Sequence, residues 1–535
     1  MRAGQRCGAG FLLLAFLAAL SLPGCGPAQR AGDRSGTLVI AVQKDIRGFD
    51  VQNYSLSSLE AVHVNVFNHL VKWDAALNLT PDLALSWERT SDRSWRFHLR
   101  RDVKWHDGSA FGAEDVKFTL ERAARDPLVT DSAYRVIAKV AVVDPYTVDI
   151  VTKRPDPMLL NRLARVGSYI MPSAYIRRNG FQHYLRQPVG TGPYKVTSWS
   201  RDDQVVLSAN ESYFGGRPGW KTVVVRAVPD DSTRVSELVA GSVDLAVGLP
   251  MSDVGRVASL PRLKVVSGAS QRTMQMVVKT SPASVTGDVR IRRAIDLAVD
   301  DALICRTIFS GHCETTLQVV NPGTPGFDPT LDGRSNYDPQ LAKALLRQAG
   351  YDPRRTLSMV GTSGVFSQDR EVAMAVAAML REAGFTVALD LVDGTRFNAM
   401  IRRRKLPDVY IVGYTSSMFD GEPSLARFAN LTGKGVSDFK DAGYAALIKS
   451  AGEQLDPARR AAQLASVQRI LADRLPVIPM YRLADIYGVR SGLDFTPRHD
   501  ELIVADDIRP RSSERPLMNS PPSSVQSPPS NPGRR

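Results

Sequence analysis

The chain has 535 residues, 43% of them hydrophobic, and a formal net charge of +13. That length is enough for two or three domains with full apolar cores. The charge does not mark a nucleic-acid binder. Arginine is spread along the chain, Arg511, Arg515, Arg534 and Arg535 fall in its final stretch, and no segment interleaves Lys/Arg with aromatics. The one dense basic run, Arg402–Lys405, reads as a solvated loop.

The N-terminus carries Arg2 and Arg6 ahead of the ten-residue apolar run Phe11–Leu20. At 1.5 Å per residue such a run cannot cross a hydrocarbon core about 30 Å thick, so residues 1–24 read as a cleaved export signal. No later apolar run is long enough to span a bilayer. Leu22–Cys25, "LPGC", resembles the lipobox of bacterial lipoproteins, with Leu at −3, Gly at −1 and Cys at +1. The resemblance implies that Cys25 becomes a lipidated first residue, held at a membrane by its acyl chains. The alternative is a plain secretory signal with an incidental cysteine. Residues 25–36 form a polar tether.

Thr37–Val42, "TLVIAV", reads as a buried strand. Ser57–Trp73 reads as one helix, with Leu59, Val62, Val66, Phe67 and Leu70 on one face. Trp95, Phe97 and Leu99 alternate with Arg96, His98 and Arg100, the period of a half-buried strand. "HDGS" is a turn, and the acidic residues that open Gly112–Ala123 mark a helix start. Val142–Thr152 reads as another strand, with an Asp-Pro turn ahead of it. Gly190–Tyr194, "GTGPY", makes a tight connection into strands at 194–199 and 204–209; it lacks the Lys-Ser/Thr of a phosphate loop and reads as a backbone corner. Residues 232–248 give a helix, a stop at Gly241 and a strand. Asp288–Ile304 is amphipathic at helical spacing, and the pattern runs on to Phe309. Asn336–Tyr351 and Asp369–Phe385 are helices ended by Gly350 and Gly384, and Thr386–Asp393 and Pro407–Thr415 are strands. This alternation predicts an α/β layer structure. Residues 511–535, rich in Ser, Pro and Asn, are expected to be a disordered tail.

Of the four cysteines, Cys7 leaves with the signal and Cys25 takes lipid. Cys305 and Cys313 remain, and an even pair in an oxidising compartment reads as a disulfide. The "SGH" between them lets the chain fold back to the Cα separation of about 5.5 Å that a bridge needs. His312 beside Cys313 lacks a second ligand cluster, so no metal site is expected. No cofactor motif is present, and no Gly-x-Ser-x-Gly, His-Glu-x-x-His or Ser-x-x-Lys element points to an exported hydrolase.

The segments "LNLTPDLALSWERTSDRSWRFHLRRDVKWHDGSAFGAEDVKFTLERA", "PVGTGPYKVTSW", "RVSELVAGSVDLAV" and "DVRIRRAIDLAVDDALI" resemble the solute-binding proteins of peptide/nickel-type ABC importers, family 5, in the same order from about Thr37 to Asp507. The resemblance implies a two-lobe α/β clamshell of the type II periplasmic-binding-protein kind. Its first lobe would span residues 37–59, 172–270 and 481–510, with an extra subdomain at 60–171, and its second lobe 271–480. It implies no catalysis, a small peptide or peptide-like solute buried between the lobes, an ABC permease as partner, and a monomer. Trp87, Trp95, Phe97 and Trp105 would be subdomain core, and His106–Asp107 a turn, not an acid/base pair.

In peptide-binding relatives a Gly-Trp-x-x-Asp stretch supplies the carboxylate that meets the peptide's amino group. Here Gly413 matches, Tyr414 replaces Trp, and Ser417 stands where the Asp would be. Tyr414, Thr415 and Ser417 are the expected cleft residues, Asp420 or Glu422 the replacement anchor, and Met274, Met276, Asn53 and Tyr54 further contacts. Met274 and Met276, alternating on one strand, could equally be core. No histidine lies near Tyr414, which disfavours nickel. A non-peptide solute (opine, sugar or metal chelate) and a chaperone or sensor role stay open.

Overall fold

The run at 37–42 forms the strand Thr37–Val42, buried along its length and paired in parallel with Thr222–Ala227 on one side and Leu245–Val247 on the other. The coordinates are a computed structural model in which residues 36–53, 60–129, 132–416, 418–429 and 436–511 are described. The expectations for the signal, Cys25, Tyr54, Ser417, the tether up to Ser35 and the tail from Ser512 fall outside those residues.

Two long strands organise the molecule. Leu263–Val278 and Val477–Arg490 run antiparallel in the middle of an eleven-stranded sheet. Their first stretch of pairing, Leu263–Ala269 with Ala484–Arg490, adjoins the sheet of the first lobe; their second, Thr273–Val277 with Val477–Arg482, adjoins the strands of the second. The register shifts between Ala269 and Thr273, so the ladder is interrupted where the chain passes from lobe to lobe.

The extra subdomain of the first lobe is a separate four-stranded sheet, Ala84–Ser91, Ser94–Leu99, Thr147–Thr152 and Ile137–Asp144 in that spatial order, with the helix Ala113–Arg125 against it. Phe97, Leu99 and Trp105 are buried there, with Trp87 and Trp95 packed against them, as the alternation at 95–100 predicts. The strand expected at 142–152 with an Asp-Pro turn ahead of it is Thr147–Thr152, which follows the turn at Asp144–Pro145; the residues before the turn end the strand Ile137–Asp144. Pro145 offers no N–H to a ladder, and Asp144 accepts the Tyr146 N–H to close the turn.

The helix expected over 57–73 does not form as one element. Among the described residues of that stretch only His63–Val66 is helical, and Val71–Trp73 is a strand. The Glu60 carboxylate accepts the N–H groups of Val62, His63 and Val64, which starts the turn. The "GTGPY" corner ends it: Gly192 donates to the Val66 carbonyl at 2.9 Å, and a Cβ on Gly190 would lie 2.0 Å from that same oxygen. Backbone packs on backbone here, which only glycine permits. His106 holds the corner from the other side, accepting from Gly190 N at 3.2 Å and donating to the Gly192 carbonyl at 3.0 Å. Burial pulls its pKa down to about 4 and keeps it neutral, a bracing role that the sequence did not reveal.

In the second lobe, Val387–Val392, Leu357–Thr362 and Val409–Tyr414 are neighbours in a parallel set joined to the hinge strands. Helices Pro339–Gln348 and Asp369–Glu382 occupy the expected places, with Gly350 and Gly384 at positive φ just beyond them. The single helix expected from 288 onward is two, Val289–Ala298 and Asp301–Thr307. Val299 is extended, and Asp300 caps the second helix by accepting from Leu303 N. That second helix carries Cys305, which is bonded to Cys313 with a Cα–Cα distance of 5.4 Å.

Candidate functional site

At the hinge, a cavity of about 830 Å³ opens between the lobes. The first lobe contributes Gln43–Asp45 and the turn Gly248–Ser252; the second contributes Phe309, His312 and the loop Gly364–Gln368. The floor is made of the hinge strands themselves, through Ser270, Arg272 and Leu483–Ile486. A space of this size and mixed lining suits a small solute.

Most charges around it are engaged. Asp45 accepts from Trp199 Nε1 at 2.9 Å and from the Asp202 N–H at 2.8 Å, and Asp231 pairs with Arg234. Lys44 and Asp202 are exposed. Two floor residues differ. The carboxyl of Asp485 is half-buried and makes no side-chain hydrogen bond or ion pair among the described residues; its cross-strand neighbour is Gly268, which has no side chain to offer. Arg272 is half-buried, and its guanidinium makes no hydrogen bond or ion pair there either, resting 5.7 Å from the centre of the Phe366 ring. Burial and the nearby Glu501 carboxylate push Asp485 up to about 8, against the pull of Arg272. Glu501 is itself held, accepting from Ser270 Oγ at 2.9 Å and Gln271 N at 2.6 Å.

The residues expected from sequence lie elsewhere. Met274 and Met276 are not in the cavity lining: they share a face of the strand with Arg272 but are 1% and 0% exposed, farther along it in the core of the second lobe. Tyr414 pairs with Thr273 in register, packs on the other core layer of that lobe, and has Arg427 stacked 4.1 Å from its ring centre. Arg427 also donates to the Thr415 carbonyl at 3.3 Å. Neither Tyr414 nor Thr415 lines the cavity at the hinge. Asn53 is exposed, donating to Asp50 and to the Leu128 carbonyl.

Asp420 is 3% exposed and doubly engaged. It caps the helix Gly421–Ala426 through Glu422 N and takes a two-pronged contact from Arg460, at 2.6 and 2.7 Å. Glu422 is half-buried next to it, and burial together with the Asp420 carboxylate pushes its pKa up to about 7. The same loop joins the lobes. Phe419, in a left-handed conformation, meets Trp73 edge-on with centroids 5.4 Å apart, and Asn161 Nδ2 donates to the Met418 carbonyl at 2.8 Å.

Asp485 and Arg272 were missed by sequence reasoning. The available signal was an acid set among apolar residues in "VIPMYRLADIYGVR", a strand with little reason to carry an unpaired charge.

The model of the bacterial extracellular solute-binding proteins, family 5 Middle, matches residues 78–435. The chain belongs to this family. It is 26% identical to di/tripeptide-binding protein 2 of Pseudomonas aeruginosa (strain UCBPP-PA14), over 88% of this chain and 92% of the relative. It is 25% identical to the glutathione-binding protein GsiB of Shigella dysenteriae serotype 1 (strain Sd197), over 83% and 88%. The crystal structure of NikA from Brucella suis in complex with Fe(III)-EDTA aligns with a TM-score of 0.79 at 22% identity, covering 89% of this chain and 99% of that one. This establishes the two-lobe type II fold expected from sequence. Among the described residues of this family-5 protein, no helix is long and apolar enough to cross a membrane, and no group of His, Cys, Asp and Glu is placed to hold a metal.

Proposed function

We propose that this chain is the solute-capturing lipoprotein of an ABC importer: anchored through Cys25, it closes its lobes on a peptide or peptide-like solute and presents it to the permease. The lobe boundaries fall at the hinge, near residues 270 and 480. The observation that carries the reading is the cavity of about 830 Å³ bounded by both lobes and floored by the two strands that connect them. A solute there touches both halves at once, so binding and closure are linked. The di/tripeptide and glutathione ligands named for two relatives favour a peptide.

Mass spectrometry of solute co-purified with the native protein tests this. The expected result is one or a few short peptides or peptide-like amides; a sugar or a metal chelate in their place contradicts it. Cys25→Ser should move the protein from the membrane to the soluble fraction.

A second reading has one observation in its favour. Asp420 is taken by Arg460, so it offers no free carboxylate for an amine after Tyr414. A solute without an amine would need none. The hinge floor offers a different answer.

A further inference from the structure

We propose that Asp485 and Arg272 are the paired ligand anchors of this protein, Asp485 receiving the solute's ammonium group and Arg272 its carboxylate. The proposal rests on the reading of the cleft as a solute site and adds which charges the solute must carry.

Three observations lead there. Both side chains line the same interlobe cavity. Both are half-buried and lack a hydrogen bond or ion pair with any described residue, although Arg272 lies close enough to pull on the Asp485 titration. Their neighbours are already satisfied: Glu501 by Ser270 and Gln271, Asp45 by Trp199 and Asp202, Asp231 by Arg234. Charged groups withdrawn from water without partners are heavily penalised, so an opposed, unmated pair facing one cavity fits a ligand that mates both. A zwitterion does so: its ammonium meets a carboxylate and its carboxylate meets a guanidinium in charge-assisted hydrogen bonds. Phe366, under Arg272, holds the guanidinium in place from its other face.

The position also couples recognition to closure. Asp485 and Arg272 stand on opposite hinge strands: Asp485 pairs with Gly268 at the edge of the register shift between Ala269 and Thr273, and Arg272 lies within that shift. A solute bridging them ties the two strands together where the ladder is broken.

A proton balance follows. Burial and Glu501 push Asp485 up to about 8, so without a bound solute it is mostly the neutral acid at pH 7. Arg272 faces it from the neighbouring hinge strand and Glu501 from the C-terminal segment, with Lys44, Asp45 and His312 further around the cavity. Taking up an ammonium ion ionises the acid and releases its proton to solvent: Asp485–COOH plus R–NH₃⁺ gives the ion pair plus H⁺. Uptake therefore strengthens as pH rises towards 8.

The test uses a defined mixture of unblocked di- and tripeptides and the same mixture N-acetylated, with retention read by native mass spectrometry on the full-length protein. The wild type should retain unblocked peptides, and acetylation should cut retention by about 30-fold or more, the effect of removing one partner of a buried charge pair. Asp485→Asn, isosteric with the neutral acid, should fold normally and lose a similar factor, and Asp485→Glu should recover part of it. Arg272→Met should weaken peptides far more than the same peptides with amidated C-termini. Calorimetry of a retained peptide at pH 7, in two buffers of different ionisation enthalpy, should show close to one proton released by the wild type and none by Asp485→Asn. Acetylated peptides held as well as unblocked ones, or unchanged binding and proton release in Asp485→Asn, would overturn the anchor while leaving the peptide reading intact. Failure of the wild type to retain either mixture would overturn the peptide reading, and the assignment with it.

Discussion

Two regions where the lobes meet differ: the loop after Tyr414, where family resemblance places the amine anchor, and the hinge floor around Asp485. In the loop Asp420 is used up, and Glu422 beside it is half-buried with its pKa pushed up to about 7. Asp420 caps a helix and clasps Arg460, while Phe419 plugs the first lobe against Trp73. On the floor, Asp485 and Arg272 face open space with their bonding capacity unspent. A saturated charge stabilises structure, and an unsaturated one is available to a ligand. The nearest carboxylate to a familiar position is therefore a poor guide to function unless its partners are counted.

The largest effect that separates the regions is at Asp420. Asp420→Ala leaves Arg460 buried and unpaired and should cost about 3–5 kcal/mol of stability in denaturant unfolding. A variant that unfolds like the wild type but loses solute would erase the comparison. Phe419→Ala removes the ring that plugs into the first lobe and should cost about 3 kcal/mol. It should also raise the radius of gyration in X-ray scattering as the lobes part; an unchanged radius would show that the plug does not hold them.

On the hinge side, Cys313 pairs in register with Leu483, two residues from Asp485. Reducing the Cys305–Cys313 bond should cost about 2–3 kcal/mol by the loop-entropy account. Thiol labelling of unfolded, unreduced protein should find neither cysteine free, and two free thiols would remove the bond from this account.

Glu422 gives the smallest effect. Its folded pKa of about 7 stands above the ordinary glutamate value of 4.5, so between those pH values the folded state binds more protons than the unfolded one. Stability from this group is therefore full below about 4.5 and falls as pH rises to about 7, by about 1–2 kcal/mol after allowing for partial solvation. Glu422→Gln should flatten that slope, and an unchanged slope would place the titration elsewhere.

Much of the fold was legible because local pattern and tertiary demand agree. Phe97 and Leu99 alternate inward, and Gly350 and Gly384 end helices where the apolar period stops. The failures occurred where a distant contact overruled the pattern. The oily stretch after Glu60 is bent by the glycines at 190 and 192, about 125 positions away in the chain. Asp300 looked like another helical residue until its capping role broke the run. In the site, Met274 and Met276 share a strand face with Arg272 but lie farther along it, where the second lobe's core covers them. Asp485 carried no motif, because its meaning depends on Glu501, Arg272 and Gly268, which only the folded chain brings near it.

A crystal structure of the protein purified with its own solute tests the central claim most directly. The account predicts density in the cavity at the hinge, with a solute nitrogen about 2.8 Å from an Asp485 oxygen and a solute carboxylate on Arg272. Solute density against Tyr414 and Glu422, with Asp485 and Arg272 left untouched, would contradict it.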